Sequence, residues 1–419
     1  MKILLLSIGS RGDIEPFLAL AHAYAQAGHE IVCAFPEQFR DLVEPLDYTF
    51  YGFDRRFLEL IEGQHGKEIM GGDGGWWAKL SSLYRMGKIG MRIQRGMVRD
   101  QFEILTTEQP ELVYYHPKVS MPVIWDLASR ARCILVCPVP AVIHPLREVS
   151  TIGVWGNRDL GKFGNAWSYR LVNAIRSKMV HSFTKPFYRE FPDLRVRPAS
   201  IYRHTLDRAE TFYTISPTLF PQPDYWPASA RVVGYRERPK TLHWKPDTAL
   251  LRFLDRFDRI AFFTFGSMSN ARPTDKTRAI LDVVTPHRIP TIINVGWGGL
   301  QRVQEAPDYV LFVNDIPYDY IFPKIHTVIH HGGSGTTHTA AKNGCVQFII
   351  PHIVDQFFWN RHLATLGVGP LGVKIQHFTK ETLEPRLLAA LNNQQYHRRA
   401  QQIAAQMAAE QHAPLPYLE

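Results

Sequence analysis

The sequence predicts an α/β protein with two doubly wound, parallel-sheet domains of the Rossmann-like kind that face a central cleft. Its 419 residues exceed what one hydrophobic core usually supports, which favours two domains of about 200 residues each. Short apolar runs alternate with helical segments in both halves, a pattern typical of parallel strands covered by helices on both faces. A proline-rich stretch at 217–246 separates the two sets of elements. Ligands are expected at the carboxyl ends of the strands.

The first domain is predicted over residues 1–220. A buried strand at 2–8 leads into a turn at 9–13, and a helix with apolar spacing then runs to Gly28, where the next strand follows. This order is one βαβ unit. The strands predicted for this half lie near Ile3 and Ile31 and at 112–115, 134–136 and 212–215.

Residues 221–248 are predicted to be a linker that contains one strand near 231–234. The second domain, 249–396, repeats the alternation of strand and helix. Its strands are predicted at 260–265, 291–294, 310–313, 328–329 and 348–350. The closing segment, 397–419, is rich in Ala, Gln and Arg and begins with a predicted helix.

The composition is that of an ordinary soluble globular protein, with 45% hydrophobic and 21% charged residues. No apolar stretch approaches the roughly 20 residues that span a bilayer, and the first eight residues are too short for a signal peptide. We therefore expect a cytoplasmic protein. The net charge of +9 comes from dispersed basic residues without a nucleic-acid-binding motif, so a nucleic acid partner is not expected. An anionic nucleotide sugar or an acidic membrane surface explains the charge as well.

Metal and disulfide chemistry are not indicated. The four cysteines are scattered in apolar surroundings, and the 18 histidines include no H-E-x-x-H arrangement. We expect buried thiols, no metal site and no cofactor.

The most informative segment joins an apolar strand at 327–329 to a helix that resumes near Thr339. Small residues in the turn let main-chain N–H groups approach an anion, and a helix N-terminus adds partial positive charge. A diphosphate is therefore the expected ligand. No Lys follows the glycines as in a P-loop, and the spacing is not GxGxxG. The candidate donor residues of this turn are His330, Gly332, Gly333, Ser334, Gly335 and Thr336.

Residues 328–337, continued by 351–361 and 366–370, resemble the nucleotide-sugar signature of inverting GT-B glycosyltransferases in the UDP-glycosyltransferase superfamily. The similarity is greatest to sterol glucosyltransferases and to bacterial natural-product glycosyltransferases, and it runs over more than forty consecutive positions. The turn at 12–16 independently resembles the opening loop of that family. The resemblance implies a GT-B fold in which the C-terminal helix of 397–419 packs back on the N-terminal domain.

The resemblance also implies roles for donor-binding residues. His330 would touch the α-phosphate, N–H groups near Ser334 would hold the β-phosphate, and the Asp355–Gln356 pair would bind the sugar hydroxyls. Further donor residues expected on neighbouring loops are Gly266, Ser267, Trp297 and Ile316. His338 stands where plant enzymes carry a ribose-binding Glu, which leaves uridine and thymidine donors both open.

On the acceptor side, Asp13 is the candidate base, as in the bacterial and sterol branches of the family. The alternative is that Asp13 only caps the helix that follows it. Glu15 is a rival base, and His116 is predicted to polarise Asp13 or to line the acceptor site. The remaining acceptor-binding candidates are Ser10, Trp76, Trp77 and His144. The region around the two tryptophans is predicted to be either an ordinary packed helical hairpin or a lid over an apolar acceptor.

The resemblance implies inverting transfer of a hexose, with UDP-glucose as the first choice of donor, to a hydroxyl of a lipophilic acceptor such as a sterol or triterpenoid. Two alternatives stay open: a lipid or natural-product glycosyltransferase with a rhamnosyl, amino-sugar or TDP-linked donor, and a non-catalytic nucleotide-sugar binding protein. The expected partners are a nucleotide sugar and a hydrophobic small molecule. Peripheral membrane contact and a monomeric or homodimeric state are open.

Overall fold

The computed structural model describes residues 1–56, 76–152, 158–240, 244–270, 272–296 and 298–418; for 76–89 it describes only the backbone. Trp297, the glycine-rich segment 71–75 and the side chains of Trp76 and Trp77 therefore lie outside the description. The described residues form two compact units. One runs from Met1 to Arg238 and includes the last residues from Gln411, and the other runs from Pro239 to Glu410.

The first unit contains a parallel sheet that has seven strands in the described part of the chain. The strands are β1 (Lys2–Leu6), β2 (Glu30–Pro36), β3 (Thr49–Phe53), β4 (Leu112–Tyr115), β5 (Arg132–Cys137), β6 (Thr211–Tyr213) and β7 (Ala230–Val232). Their order across the sheet is β3-β2-β1-β4-β5-β6-β7, and every pairing is parallel. The central strands are apolar on both faces, as a sheet covered by helices on both sides requires.

Helices connect these strands. They are α1 (Arg11–Gln26), α2 (Arg40–Val43), α3 (Trp76–Glu108), α4 (Met121–Leu127), α5 (Gly161–Thr184) and α6 (Pro198–Arg203). Tyr24 and Phe17 of α1 are fully buried against the sheet. The apolar residues near 80–91 belong to the single 33-residue helix α3, and residues 161–184 form α5.

The second unit repeats the plan with a parallel sheet of five strands among the residues described. They are β8 (Ala261–Thr264), β9 (Thr291–Asn294), β10 (Val310–Val313), β11 (Thr327–His330) and β12 (Val346–Ile349), in the order β10-β9-β8-β11-β12. The accompanying helices are α7 (Thr248–Arg256), α8 (Pro273–Val284), α9 (Tyr318–Ile321), α10 (Ser334–Lys342), α11 (Gln356–Leu366), α12 (Lys380–Asn392) and α13 (Gln394–Ala408). Two α/β units with parallel sheets confirm the predicted fold class.

The ends of the two units differ from the predicted boundaries. β7 pairs with β6, so the first unit extends to Arg238, inside the segment predicted to be a linker. The last helix, α13, buries Ala400 and Ile403 and packs against α10 and β12 of its own unit. Only the segment from Gln411 onward joins the first unit, where Leu415 enters the core. The expected return to the first unit is therefore made by the tail and not by the helix.

Each sheet has one point at which its strand order reverses direction. In the first unit the chain proceeds outward from β1 to β2 and β3, and β4, which starts the opposite half, pairs with β1. In the second unit β8 and β11 form the corresponding pair. The carboxyl ends of such adjacent strands are the usual binding positions in open α/β sheets. The turn at 9–13, His116, the Gly266–Ser267 pair and the turn at 330–336 follow these four strands.

Candidate active site

The loop between β1 and α1 presents a carboxylate that is held by several donors. Asp13 Oδ2 accepts hydrogen bonds from the Ser10 main-chain N–H at 2.8 Å and from the Ser10 hydroxyl at 3.3 Å. Lys118 Nζ lies 3.1 Å from the same oxygen, and His116 Nε2 lies 3.1 Å from Oδ1. Because Ser10 is the N-cap residue of α1, Asp13 does cap this helix. The side chain remains 20% exposed, so capping does not exclude a role as base.

His116 donates a hydrogen bond to Asp13. The Lys118 main-chain N–H donates to His116 Nδ1 at 3.2 Å, so the hydrogen-bond pattern assigns the ring proton to Nε2, which faces Asp13. Burial lowers the pKa of His116 by more than the neighbouring carboxylate raises it. The ring is therefore neutral at neutral pH. His116 orients and stabilises the Asp13 carboxylate and does not act as the base in this arrangement.

The Asp13 carboxylate stays ionised to low pH. Burial raises its pKa, but the positive charge of Lys118 and the hydrogen bond from His116 lower it by more, and the net pKa lies well below the usual range. Sequence reasoning missed Lys118. It follows His116 and Pro117 at the carboxyl end of β4, the strand next to β1, and that position is the signal that would have identified it.

The other acceptor-side candidates behave differently. Glu15 Oε2 lies 3.1 Å from Arg238 Nε, and Glu15 Oε1 lies 3.1 Å from Arg11 Nε, so two guanidinium groups already bind this carboxylate. His144 is 1% exposed and is bonded at both ring nitrogens, to the Tyr213 hydroxyl and the Leu206 carbonyl. The structure contradicts the prediction that His144 binds an acceptor, because both of its ring nitrogens already have hydrogen-bond partners inside the core.

In the second unit, the loop between β11 and α10 has the predicted strand, turn and helix geometry. Thr337 donates the first main-chain hydrogen bond of the helix to the Gly333 carbonyl, so the N–H groups of 334–336 precede the helical ladder. Gly332 has a φ of +94°, and a Cβ there would lie 2.7 Å from Ile349 Cγ2. Glycine is thus required for the turn, which leaves a helix N-terminus suited to an anion.

A buried histidine lines this loop. A Cβ on Gly333 would lie 2.4 Å from His331 Nε2, and one on Gly266, after β8, would lie 2.7 Å from His331 Cε1. The ring therefore fits between two glycines on adjacent loops. His331 Nδ1 is buried and has no hydrogen-bond partner among the described residues. Burial lowers the pKa of His331 to about 4, so the ring is neutral and can donate a hydrogen bond from one nitrogen.

His330 is fully buried, and both of its ring nitrogens are engaged. Nε2 lies 3.0 Å from Gln347 Oε1, and Nδ1 accepts the Gly332 N–H at 3.2 Å. Burial lowers its pKa to about 3. A phosphate contact by His330 would require the exchange of one of these bonds. The histidine beside the loop that has a nitrogen without a partner among the described residues is His331, which is not among the donor residues predicted from the sequence.

The Asp355–Gln356 pair lies at the start of α11. Gln356 Oε1 accepts the main-chain N–H groups of His352 at 2.7 Å and Ile353 at 3.1 Å, and its Nε2 lies 3.5 Å from Met268 Sδ. Gln356 is thus a support for the 351–355 loop. Asp355 is the N-cap residue of α11 and is partly exposed. The assignment of this pair to sugar hydroxyls stays a prediction.

The remaining donor-side candidates lie after β8, after β10 and on α10. Ser267 is partly exposed directly after β8, beside Gly266. The Ile316 side chain is 5% exposed and belongs to the core, so only its main chain is available to a nucleobase. His338 is fully buried, and its Nδ1 lies 2.7 Å from the Ser334 carbonyl oxygen. Within the described part of the chain, no cluster of three His, Cys, Asp or Glu side chains could hold a metal ion.

Comparisons with known proteins show what this chain is similar to. Residues 279–416 match the family model described as the C-terminal domain of erythromycin biosynthesis protein CIII-like proteins. Two sterol 3-beta-glucosyltransferases of Arabidopsis thaliana are 28% and 25% identical over 91% and 92% of this chain. A sterol 3-beta-glucosyltransferase of Saccharomyces cerevisiae is 26% identical over 94% of it. The chain spans 62%, 60% and 32% of the lengths of these relatives.

Solved structures show the same fold. The glycotransferase of kitacinnamycin superposes with a TM-score of 0.68 at 14% identity, covering 97% of this chain and 95% of that one. SnogD from Streptomyces nogalater gives 0.62 at 18% identity, covering 98% and 95%. The chain has the GT-B fold of these glycosyltransferases. In this GT-B protein the matched family model includes the whole β11–α10 loop and the Asp355–Gln356 pair. Within the residues described, no helix is both long and apolar enough to cross a membrane.

Proposed function

We propose that this chain transfers a hexosyl group from a nucleoside diphosphate sugar to a hydroxyl of a lipophilic acceptor, with inversion at the anomeric carbon. The observation that carries the proposal is the β11–α10 loop. It combines a helix N-terminus with a buried histidine nitrogen that lacks a partner among the described residues. Main-chain dipoles and a neutral N–H donor suit a departing diphosphate.

The reaction is a single displacement. The acceptor oxygen attacks the anomeric carbon as the bond from that carbon to the diphosphate oxygen breaks, and the hydroxyl proton passes to Asp13. The diphosphate leaves with its charge balanced by the loop N–H groups and by a hydrogen bond from His331. Attack opposite the leaving group gives inversion. Asp13 is a weak base because of its low pKa, so proton transfer is expected late in the displacement.

The names of the relatives support the substrate assignment. Those found at 25–28% identity are sterol 3-beta-glucosyltransferases. We accordingly propose a glucosyl donor, with UDP-glucose first, and a sterol or triterpenoid acceptor. The mechanism uses no metal or other cofactor, because the loop itself supplies the donors for the diphosphate.

The test is transfer by the purified full chain. UDP-glucose and TDP-glucose are each incubated with sterol, triterpenoid, polyketide and flavonoid acceptors, with and without EDTA, and products are identified by mass spectrometry. We expect a glycosylated sterol or triterpenoid from UDP-glucose, unchanged by EDTA. The Asp13→Asn protein is the matched control and should bind UDP without forming product. Tight UDP binding with neither transfer nor donor hydrolysis would indicate a non-catalytic binding protein.

A further inference from the structure

Helix α5 is amphipathic in the opposite sense to an ordinary surface helix. Its buried positions are largely polar, and its exposed positions are apolar at every fourth residue. The buried polar residues are Asn165, Ser168, Asn173, Ser177 and Thr184. The exposed apolar residues are Phe163 (90%), Trp167 (55%), Leu171 (36%), Ile175 (50%) and Met179 (43%).

The polar side of α5 is fixed to the protein by hydrogen bonds. Asn165 Nδ2 donates to the Arg147 carbonyl at 2.8 Å, and Asn173 Nδ2 donates to the Ile143 carbonyl at 2.9 Å. Ser168 Oγ accepts the Thr151 N–H at 3.0 Å. Rotation of the helix to turn its apolar side toward the core would leave these polar groups without partners, and each loss would cost about 1–3 kcal/mol of folding free energy. The outward orientation of the apolar residues is therefore built into the fold.

The exposed apolar residues form a continuous stripe. Four residues advance a helix by about 40° beyond one full turn, so Trp167, Leu171 and Ile175 share one side, with Phe163 and Met179 flanking it. At about 1.5 Å per residue the stripe is about 24 Å long. That length suits an extended surface more than a single small ligand.

The charge on the helix is of one sign. Residues 161–184 contain four basic residues, Lys162, Arg170, Arg176 and Lys178, and no acidic residue. Lys162, Arg170 and Lys178 are exposed. The neighbouring helix α3 packs against α5 and adds the exposed side chains of Arg92, Arg95 and Arg99, together with Met91 at 47% exposure. A second copy of the same face would bring like charges together, whereas an anionic surface is complementary to it.

We propose that α5 docks this protein on an anionic lipid membrane, with the apolar stripe at the level of the acyl chains and the basic side chains among the headgroups. Apolar residues including Trp and Phe on one face, with Lys and Arg beside them, are the features of helices that lie in the plane of a membrane interface. Apolar burial and attraction to anionic lipids each contribute to binding of this kind. The proposal is independent of the assignment of Asp13.

The test is cosedimentation of the full chain with vesicles. One set contains phosphatidylcholine alone, and the other contains phosphatidylcholine with phosphatidylserine. We expect binding to the second set that weakens at high salt. Phe163→Ser/Ile175→Ser should weaken it at least about tenfold by removing apolar burial. Lys162→Glu/Lys178→Glu should weaken it at least about tenfold by removing attraction.

Leu251→Ser is the matched control, because Leu251 is 47% exposed on α7 in the other unit, and this variant should bind vesicles like the parent. Unchanged thermal melting of each variant shows that the fold is retained. The proposal is overturned if the parent binds neutral vesicles as well as anionic ones, or if the stripe variants bind like Leu251→Ser. It is equally overturned if the stripe variants instead dissociate a dimer, or raise only the KM for a water-soluble acceptor in the absence of vesicles.

Discussion

Asp13, the proposed base, combines two properties that usually conflict in a group with that role. Its donors keep the carboxylate ionised and fixed in position, but the same donors make it a poor proton acceptor. Lys118 is the donor that can leave, because its side chain is 44% exposed while that of His116 is 6% exposed. Departure of Lys118 when an acceptor hydroxyl arrives would restore basicity at the moment it is needed.

Asp13→Asn should abolish transfer and leave the fold intact. The amide oxygen can keep the capping hydrogen bond from Ser10, while the basicity is lost. A decrease of about 10²–10⁴-fold in kcat is the usual scale for removal of a general base. UDP affinity by calorimetry and thermal melting should be nearly unchanged. Normal turnover in a folded variant would move the base elsewhere, and Glu15 would be the weaker choice because Arg238 and Arg11 already bind it.

Lys118→Met should move the pH dependence of kcat/KM. Without the ammonium group the pKa of Asp13 rises toward its ordinary value, so the variant carboxylate is protonated at a higher pH than in the parent. We expect the acidic limb of the profile to shift upward, with near-normal UDP affinity. Lys380→Met, on an exposed lysine at the start of α12, is the matched control and should reproduce the parent profile. An unshifted limb would show that Lys118 does not control the base.

Alanine substitutions of His331 and His330 should have different effects, the first mainly on UDP affinity and the second mainly on thermal stability. His331→Ala removes the nitrogen that has no partner among the described residues, so UDP affinity should fall by about 1 kcal/mol, the usual size of a neutral hydrogen bond, with a small change in melting temperature. His330→Ala leaves the Gly332 N–H and Gln347 without partners and should lower the melting temperature more. Calorimetry and thermal melts on both variants decide. The opposite pattern would restore the assignment of the phosphate contact to His330.

At the scale of elements, the strand-to-helix loops were predictable because their chemistry is local. The turn residues after β1 and β11 can be identified from the sequence alone. The structure places them where the strand order of each sheet reverses direction. β3 was missed, since Thr49–Phe53 is short and contains a glycine that breaks the pattern. The orientation of α5 was also missed. Spacing identifies an apolar face but does not say which side of the helix the rest of the chain covers.

Substitutions of Gln356 and Asp355, at the start of α11, should have different effects, because the first residue supports the loop and the second is predicted to bind the sugar. Gln356→Ala leaves two main-chain N–H groups, of His352 and Ile353, without their acceptor and should destabilise the protein by about 1–3 kcal/mol. Asp355→Ala should instead impair glucose transfer much more than UDP binding, because the sugar hydroxyls lose an acceptor while the phosphates keep their N–H donors. Urea unfolding, calorimetry and steady-state rates measure the three quantities. Equal losses of transfer and UDP affinity in Asp355→Ala would indicate that Asp355 only holds the loop.

At the scale of the whole molecule, buried neutral histidines make stability depend on pH. Burial is the first cause that lowers the pKa of His330 to about 3, of His331 to about 4 and of His352 to about 3. The unfolded chain takes up these protons near pH 6.5. The folded protein therefore keeps its full stability above that pH and loses it as the pH falls from about 6.5 toward 4 and 3. All three residues belong to the second unit.

Urea unfolding between pH 7.5 and 4.5 should therefore show a midpoint that falls on acidification. Each histidine that stays neutral while its unfolded counterpart is charged contributes a slope of about 1.4 kcal/mol per pH unit below 6.5. His352→Gln should have a shallower slope, because Gln does not titrate, whereas His377→Gln, at an exposed position, should keep the parent slope. A parent midpoint that is flat to pH 4.5 would mean that these rings gain protons without unfolding. In that case the loop would hold an imidazolium for the diphosphate, and UDP affinity would rise on acidification.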